Sequence, residues 1–132
     1  MVHVALAILL AVTAGENNAP DYDTALAASQ KENKPLVILI GAPWCASCQV
    51  MKRETIQPMM ETGKLDEVIV TFVDKDQQPE LAQQLMKGET LPQIVVFAKQ
   101  PGGWKRFSLT GMQSQNRMAE LLGRATAPST LR

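Results

Sequence analysis

The chain has 132 residues, 45% of them hydrophobic, and its 13 basic and 13 acidic residues give a formal net charge of zero. A chain of this length and composition suits one domain with a hydrophobic core. The basic residues are scattered among acidic ones and form no face interleaved with aromatic residues, which argues against nucleic acid as a partner.

The first residues of the chain have the pattern of a secretory signal. Residues 4–12 are an unbroken apolar stretch, shorter than the roughly 20 residues that a membrane-spanning helix needs, so we expect no stable membrane span. Small residues up to Ala14 suit a cleavage site, although the region lacks Lys and Arg. We predict a signal peptide at 1–14 and an exported, periplasmic or secreted protein, with its cysteines in an oxidising compartment. The alternative is a terminal strand or fraying segment, which would indicate a cytoplasmic protein.

The rest of the chain is predicted to be one domain with short flanks. We assign a linker to residues 15–20, the domain to 21–124 and a flexible tail to 125–132. Helices are predicted at 21–31, from about Cys45 to Pro58, at 59–65, at 79–87 and from Ser114 onward, and strands at 36–40, 68–73, 94–97 and 104–109. Asp23 is the predicted cap of the first helix. Pro58 is expected to interrupt or kink the helix that it enters.

The connections between the predicted strands determine how they pair. The strands at 36–40 and 68–73 are joined through a helix, so we expect them to be parallel, with a right-handed crossover. The turn at 100–103 joins the last two strands as an antiparallel hairpin. The domain is therefore predicted to be α/β, with a mixed sheet and helices on both faces.

Both cysteines of the chain stand in the run Trp-Cys-Ala-Ser-Cys at residues 44–48, between a predicted buried strand and a helix. Two thiols at this spacing can close into a small disulfide ring and reopen, which is typical of a redox switch. A structural staple is the alternative interpretation. So short a loop restrains the unfolded chain less than a long one does, which favours the switch.

Metal binding is a third interpretation of the cysteines. A structural zinc site typically needs about four Cys or His ligands, and the chain has 2 cysteines and 1 histidine. The 7 methionines could suit copper, but Met51, Met86 and Met118 stand at apolar helical positions, where filling the core is the expected role. We therefore predict no metal site.

The order of elements, together with several short motifs, resembles the thioredoxin family. The matching segments are Ala-Pro-Trp-Cys-Ala-Ser-Cys at 42–48, Leu91-Pro92 just before a strand, the loop 74–79 that leads into a helix, and Gly111 ahead of the last helix. The likeness covers residues 21–122. It implies the thioredoxin fold, with a mixed four-stranded central sheet flanked by helices on both faces.

The resemblance implies a role for each cysteine. Cys45 stands at the start of a helix, which favours negative charge on its sulfur, and is the expected nucleophile. Cys48, one turn on, is expected to resolve the mixed disulfide that Cys45 forms with a client. The cysteine pair is then itself the redox-active group, and we expect no cofactor besides it.

The resemblance also implies a surface that binds clients. Pro92 is expected to follow a cis peptide bond beside the cysteines, and the backbone of Leu91 to pair with an extended client segment. Without the resemblance, an ordinary trans proline at a strand start would be expected. Trp44 is expected to shield Cys45 and leave an apolar rim for clients; plain packing is the alternative.

Three features of the sequence depart from the family pattern. Leu39 stands where thioredoxins carry a buried aspartate that helps to move the proton of the second thiol. Ala46-Ser47 between the cysteines supplies no histidine, so a strongly oxidising potential is not expected. Gln93 follows the proline where the family usually has threonine.

We therefore predict a thiol-disulfide oxidoreductase, a reductase or isomerase rather than a strong oxidase. Its partners would be proteins with thiols or disulfides and an unidentified redox partner protein, and we expect a monomer. The residues at 33–35 and 51–55 look most like those of exported members of the family. The alternative function is a non-catalytic binding module of thioredoxin fold with an inert disulfide.

Overall fold

A computed structural model describes residues 19–127; the predicted signal peptide at 1–14 lies outside the described residues. Within 19–127 the helices are α1 (Tyr22–Glu32), α2 (Ala46–Met51), α3 (Gln57–Glu61), α4 (Pro79–Leu85) and α5 (Gln115–Thr126), with a π-helical turn at Lys52–Ile56 between α2 and α3. The strands are β1 (Leu36–Gly41), β2 (Ile69–Asp74), β3 (Gln93–Gln100) and β4 (Gly103–Thr110). Helix α5 extends into the segment that we assigned to the tail.

The four strands form one mixed sheet in the order β2-β1-β3-β4. β1 runs parallel to β2, with Leu36 opposite Ile69, and antiparallel to β3, with Leu36 opposite Phe97. β3 and β4 form the antiparallel hairpin. The predicted fold class is therefore confirmed, down to the parallel first pair and the antiparallel last pair.

The core occupies both faces of the sheet because successive side chains of a strand point in opposite directions. Every residue of β1 is buried, as its continuous apolar run predicts. Val37 and Leu39 pack with side chains from the helices on one face, namely Met51, Ile56, Met59, Met118, Leu121 and Leu122. Leu36, Ile38 and Ile40 pack with the helices on the other face, namely with Ala25, Ala82 and Leu85. The helices therefore pack against both faces of β1 and fix the position of its carboxyl end.

The first helix is capped two residues earlier than we predicted. Asp21 has extended backbone angles, and its side chain accepts a hydrogen bond of 2.8 Å from the backbone N–H of Thr24. That hydrogen bond lowers the pKa of the Asp21 carboxyl, because it stabilises the ionised form. Asp23 already lies in the first turn, so the prediction of Asp23 as the cap was wrong.

The helix that follows the cysteines is interrupted near Pro58, as predicted, and then continues as α3. A π-helical turn comes just before the proline, and the N–H of Gln57 donates to the carbonyl of Lys52, five residues back. In a regular α-helix the carbonyl of Glu54 would accept a hydrogen bond from the N–H of residue 58, but Pro58 has no N–H. The Glu54 carbonyl accepts instead from the side chain of Gln115, at 3.3 Å. The wider turn therefore accommodates the proline. The helix that we predicted at 59–65 corresponds to α3, which begins at Gln57 and ends at Glu61.

Candidate active site

Cys45 and Cys48 lie where β1 passes into α2, and they form a disulfide with a Cα–Cα distance of 5.3 Å. Cys45 is the N-cap residue of α2, with an extended backbone, and its sulfur accepts a hydrogen bond of 3.2 Å from the backbone N–H of Cys48. The hydroxyl oxygen of Ser47 lies 3.4 Å from the same sulfur. Unpaired N–H groups at the start of a helix favour negative charge there. The site therefore holds two hydrogen-bond donors ready for an anionic Cys45 sulfur.

The two cysteines differ in their exposure to solvent. Cys45 keeps 7% of its surface exposed, whereas Cys48 has 0%. Both pack in a small cluster with Ala42 and Leu91. A partner molecule that approaches the disulfide therefore reaches Cys45 first.

Gly41, the last residue of β1, contacts Cys48 directly, and our sequence analysis missed this role. A Cβ atom at Gly41 would lie 3.0 Å from the Cys48 Cβ and 3.1 Å from its sulfur. Such a separation is tighter than ordinary van der Waals contact, so a larger residue at this position would require Gly41 or Cys48 to shift. The sequence signal was the glycine directly after the apolar run at 36–40, which our predicted strand left out.

The Leu91–Pro92 segment lies beside the cysteines. Leu91 packs against the cluster that contains both of them, and the Leu91–Pro92 peptide bond is cis. The carbonyl of Pro92 accepts a hydrogen bond of 2.8 Å from the N–H of Gly111. The turn that contains Gly111 therefore braces this segment from the side of β4.

Trp44 presents most of its indole ring to solvent, since 68% of its surface is exposed. Its ring N–H donates a hydrogen bond of 2.7 Å to the carboxylate of Asp76. Asp76 itself is held in a loop, because its backbone N–H donates to the Asp74 carboxylate at 2.8 Å. The indole is thus tied to the loop after β2, and this degree of exposure argues against a role in packing alone. Sequence analysis did not identify Asp76.

A cavity of about 400 Å³ adjoins the segment that leads from β1 to the cysteines and is lined by Gly41, Ala42, Pro43, Gln49, Lys52, Phe72, Val73, Asp74 and Gln77. Lys52 and Asp74 are the charged side chains in this lining. The Lys52 ammonium lies 4.7 Å from the centre of the Phe72 ring. Phe72 in β2 stands opposite the buried Leu39 in β1. The sheet therefore offers an apolar pair, and no carboxylate, at these two positions.

Among residues 19–127 no group of three or more His, Cys, Asp or Glu side chains could hold a metal ion. In the same part of the chain no helix has the length and apolarity needed to cross a membrane. Met51 and Met118 are fully buried in the core, as their sequence positions predicted.

Comparison with known proteins places this chain among thioredoxin-like sequences and structures. A family model described as Thioredoxin-like matches residues 16–99, more than half of the chain. No curated protein sequence matches it. Among solved structures, chloroplastic thioredoxin z is 25% identical over 81% of this chain and 91% of that chain, with a TM-score of 0.64.

Two further solved structures are similar at lower identity. A thioredoxin from Thermus thermophilus is 22% identical over 80% of this chain and 85% of that chain, with a TM-score of 0.66. A thioredoxin from Fasciola hepatica is 19% identical over 79% and 92%, with a TM-score of 0.61. At such identity these likenesses show the fold alone.

Proposed function

This chain belongs to the thioredoxin-like family, and on that premise we propose that its Cys45–Cys48 pair exchanges electrons with the disulfides of protein clients. The fold together with the Cys-x-x-Cys disulfide supports thiol-disulfide oxidoreductase activity in general. The finer assignment is a reductase or isomerase rather than a strong oxidase. Nothing beyond the cysteine pair is needed as a cofactor for such exchange.

One observation carries the proposal: the two sulfurs have unequal access, and the accessible one sits at a helix start. Cys45 retains 7% of its surface in contact with solvent and accepts a hydrogen bond from the N–H of Cys48, while Cys48 is fully buried. An attacking thiol must be ionised and reachable, and a resolving thiol must be close and protected from competing partners. Cys45 therefore meets the requirements of the attacking thiol, and Cys48 meets those of the resolving thiol.

In the first step the Cys45 thiolate attacks one sulfur of a client disulfide. A bond forms between Cys45 and that sulfur, the client disulfide bond breaks, and the released client thiolate takes a proton from solvent. The Cys48 N–H and the Ser47 hydroxyl stabilise the Cys45 anion before the attack. The product is a mixed disulfide between protein and client.

In the second step Cys48 loses its proton, and its sulfur attacks Cys45. The Cys45–Cys48 bond forms, the mixed disulfide breaks, and the client leaves as a dithiol. Two electrons have then passed to the client. With Leu39 in place of a carboxylate, the proton of Cys48 needs another route. We propose the neighbouring cavity, since Gly41, which contacts Cys48, lines it together with Lys52 and Asp74.

The direction of electron flow is proposed from the residues between the cysteines. Ala46 and Ser47 carry no positive charge, so the Cys45 thiolate lacks the extra stabilisation that makes a dithiol form strongly favoured. A less stabilised dithiol gives a more reducing couple. We expect a potential between about −270 and −180 mV, the range from thioredoxin to a disulfide isomerase.

The client-binding surface is proposed to lie around Cys45. Leu91 packs beside the cysteines, where its backbone can pair with an extended client segment. Trp44 offers an exposed indole on the other side of the motif, and Met112, 51% exposed, follows the turn that braces Pro92. These apolar side chains form a rim suited to an uncharged stretch of client chain.

Replacing Asp76 by Ala is expected to weaken client reduction by about twofold to tenfold, because one hydrogen bond contributes about 0.5–1.5 kcal/mol. The change removes the carboxylate that orients the Trp44 indole. The steady-state kcat/KM for insulin reduction is the measurement. Glu67→Ala removes one exposed acid elsewhere and is the matched control. Equal rates in the two variants would show that the indole needs no such orientation.

Replacing Cys48 by Ala tests the exchange itself. Cys45 can still attack a client, but no resolving thiol remains, so the mixed disulfide accumulates. Non-reducing gels of the purified protein incubated with an oxidised client should show an adduct that dithiothreitol releases. A Cys45→Ser, Cys48→Ala double variant is the control and should show none.

The alternative to an enzyme is a binding module whose disulfide never cycles. It predicts that the Cys48→Ala variant forms no adduct and that the wild-type disulfide resists reduction at the potentials given above. A measured potential near about −120 mV would instead indicate a strong oxidant and overturn the proposed direction.

We further propose that the protein works after export, in a periplasmic or extracellular compartment, as a monomer. An oxidising compartment would return the pair to the disulfide, so a reductase there requires a redox partner protein that supplies electrons. Localisation of the tagged full-length chain after cell fractionation is the test.

A further inference from the structure

The backbone that carries Leu91 belongs to an irregular loop between α4, which ends at Leu85, and β3, which begins at Gln93. Gly88 in this loop has a positive φ of 69°. Because a loop without helix or strand lacks its own hydrogen-bond ladder, other groups must satisfy its N–H and C=O groups and hold its shape.

Gln93 supplies those hydrogen bonds with a buried side chain. Only 1% of its surface is exposed. Its side-chain oxygen accepts from the N–H of Lys87 at 3.0 Å, and its side-chain nitrogen donates to the carbonyls of Lys87 at 2.8 Å and Thr90 at 3.0 Å, with the Gly88 carbonyl at 3.5 Å. Both the oxygen and the nitrogen of the side-chain amide therefore form hydrogen bonds with the backbone of the loop.

The backbone of Gln93 is itself fixed in the sheet. It stands in β3 between Ile40 of β1 and Thr110 of β4. Ile40 lies one residue before Gly41, the glycine that contacts Cys48. The side chain of Gln93 thus transmits the position of the central strands to the loop that places Leu91.

We propose that Gln93 is a positioning residue for client binding: it fixes the loop at residues 86–92 so that the Leu91 backbone meets a client segment at the correct distance from Cys45. This inference rests on the proposed function. Gln93 touches neither sulfur, so it acts through the loop. The rate at which the protein reduces a disulfide too small to pair with Leu91 should therefore not depend on Gln93.

The test compares two glutamines of the same strand. Gln93→Met keeps the length and burial of the side chain but removes its hydrogen bonds to the loop. Gln100→Met does the same at the opposite end of β3, where the buried Gln100 donates to the carbonyl of Ala125 in α5. Both variants lose a buried amide, so a purely structural effect should appear in both.

Two substrates separate positioning from chemistry. Insulin presents a disulfide within a chain, whereas hydroxyethyl disulfide presents almost no chain. For Gln93→Met we expect kcat/KM with insulin to fall about tenfold, mainly through KM, because a small displacement of a binding segment is costly. The rate with hydroxyethyl disulfide should stay within about twofold of wild type, and Gln100→Met should change neither.

Three results would overturn the proposal: an unchanged insulin KM in Gln93→Met, equal losses with both substrates, or the same insulin defect in Gln100→Met. If Gln93→Met does not fold, Gln93→Asn keeps the amide on a shorter side chain and is measured in the same way. Amide hydrogen exchange of residues 87–91 gives a readout independent of activity. We expect faster exchange in Gln93→Met, and not in Gln100→Met, even if the wild-type protein reduces neither substrate. A wild-type protein that reduces neither substrate would contradict the proposed function alone.

Discussion

Replacing Cys45 by Ser is expected to reduce the insulin-reduction rate to background. A serine hydroxyl stays protonated near neutral pH and attacks a disulfide far more weakly than a thiolate does. Cys48 cannot substitute, because it is fully buried behind Cys45. The measurement is the rate at which insulin precipitates in the presence of dithiothreitol, corrected for dithiothreitol alone.

The loss in this variant should come from chemistry and not from unfolding. The loop-entropy model gives about 2 kcal/mol for a loop of this length, less than for long loops, so the variant should remain folded. Denaturant unfolding of Cys45→Ser against the oxidised wild type checks this, and a difference of about 2 kcal/mol is expected. Ser47→Ala keeps both cysteines and loses only the hydroxyl near the Cys45 sulfur, so it should retain measurable activity. Insulin reduction that survives in Cys45→Ser would refute the assignment of the nucleophile.

Replacing Gly41 by Ala is expected to disturb the cysteine pair from the opposite side. The added methyl would lie 3.0 Å from the Cys48 Cβ, and neither group can move freely, since Gly41 is in the central strand and Cys48 is in the first turn of α2. Overpacking of this kind typically costs about 1–3 kcal/mol. Displacement of the Cys48 sulfur should also slow the second exchange step by about tenfold.

Two measurements and a matched glycine variant separate these effects. The free energy of unfolding, from denaturant titration, reports the packing cost, and the decay of a preformed mixed disulfide reports the second step. Gly123→Ala is the control, because a Cβ at Gly123, in the exposed face of α5, meets nothing within 4 Å. That variant should gain about 0.5–1 kcal/mol from the better helix propensity of alanine and keep the wild-type exchange rate. A Gly41→Ala protein with wild-type stability and rate would show that the contact with Cys48 relaxes without cost.

Local patterns in the sequence were sufficient for most of the fold. The all-apolar run of β1 predicted burial on both faces, and the helix between β1 and β2 predicted their parallel pairing, which the register confirms. The errors were at helix ends. Asp21 and Asp23 are both suitable caps by residue type, and only the backbone angles select Asp21.

The π-helical turn before Pro58 is an interruption that local rules predicted, but without its form. Proline predicts a break because it lacks an N–H and its ring clashes with the preceding turn. The chain stays helical past the proline because the turn widens and because Gln115, from a helix far along the chain, donates to the carbonyl of Glu54. A partner this distant in sequence leaves no signal near the proline.

The sequence by itself determined the reactive motif, its place between a strand and a helix, and the family, since spacing and residue type are local properties of the chain. Only the tertiary structure decided which atoms surround that motif: Gly41 against Cys48, Asp76 on the Trp44 indole, and Gln93 holding the loop of Leu91. The first is a close contact that depends on how α2 leaves the end of β1. The second joins segments that meet because β2 lies beside β1. The third requires a long polar side chain to be buried at one site, which residue type alone argues against.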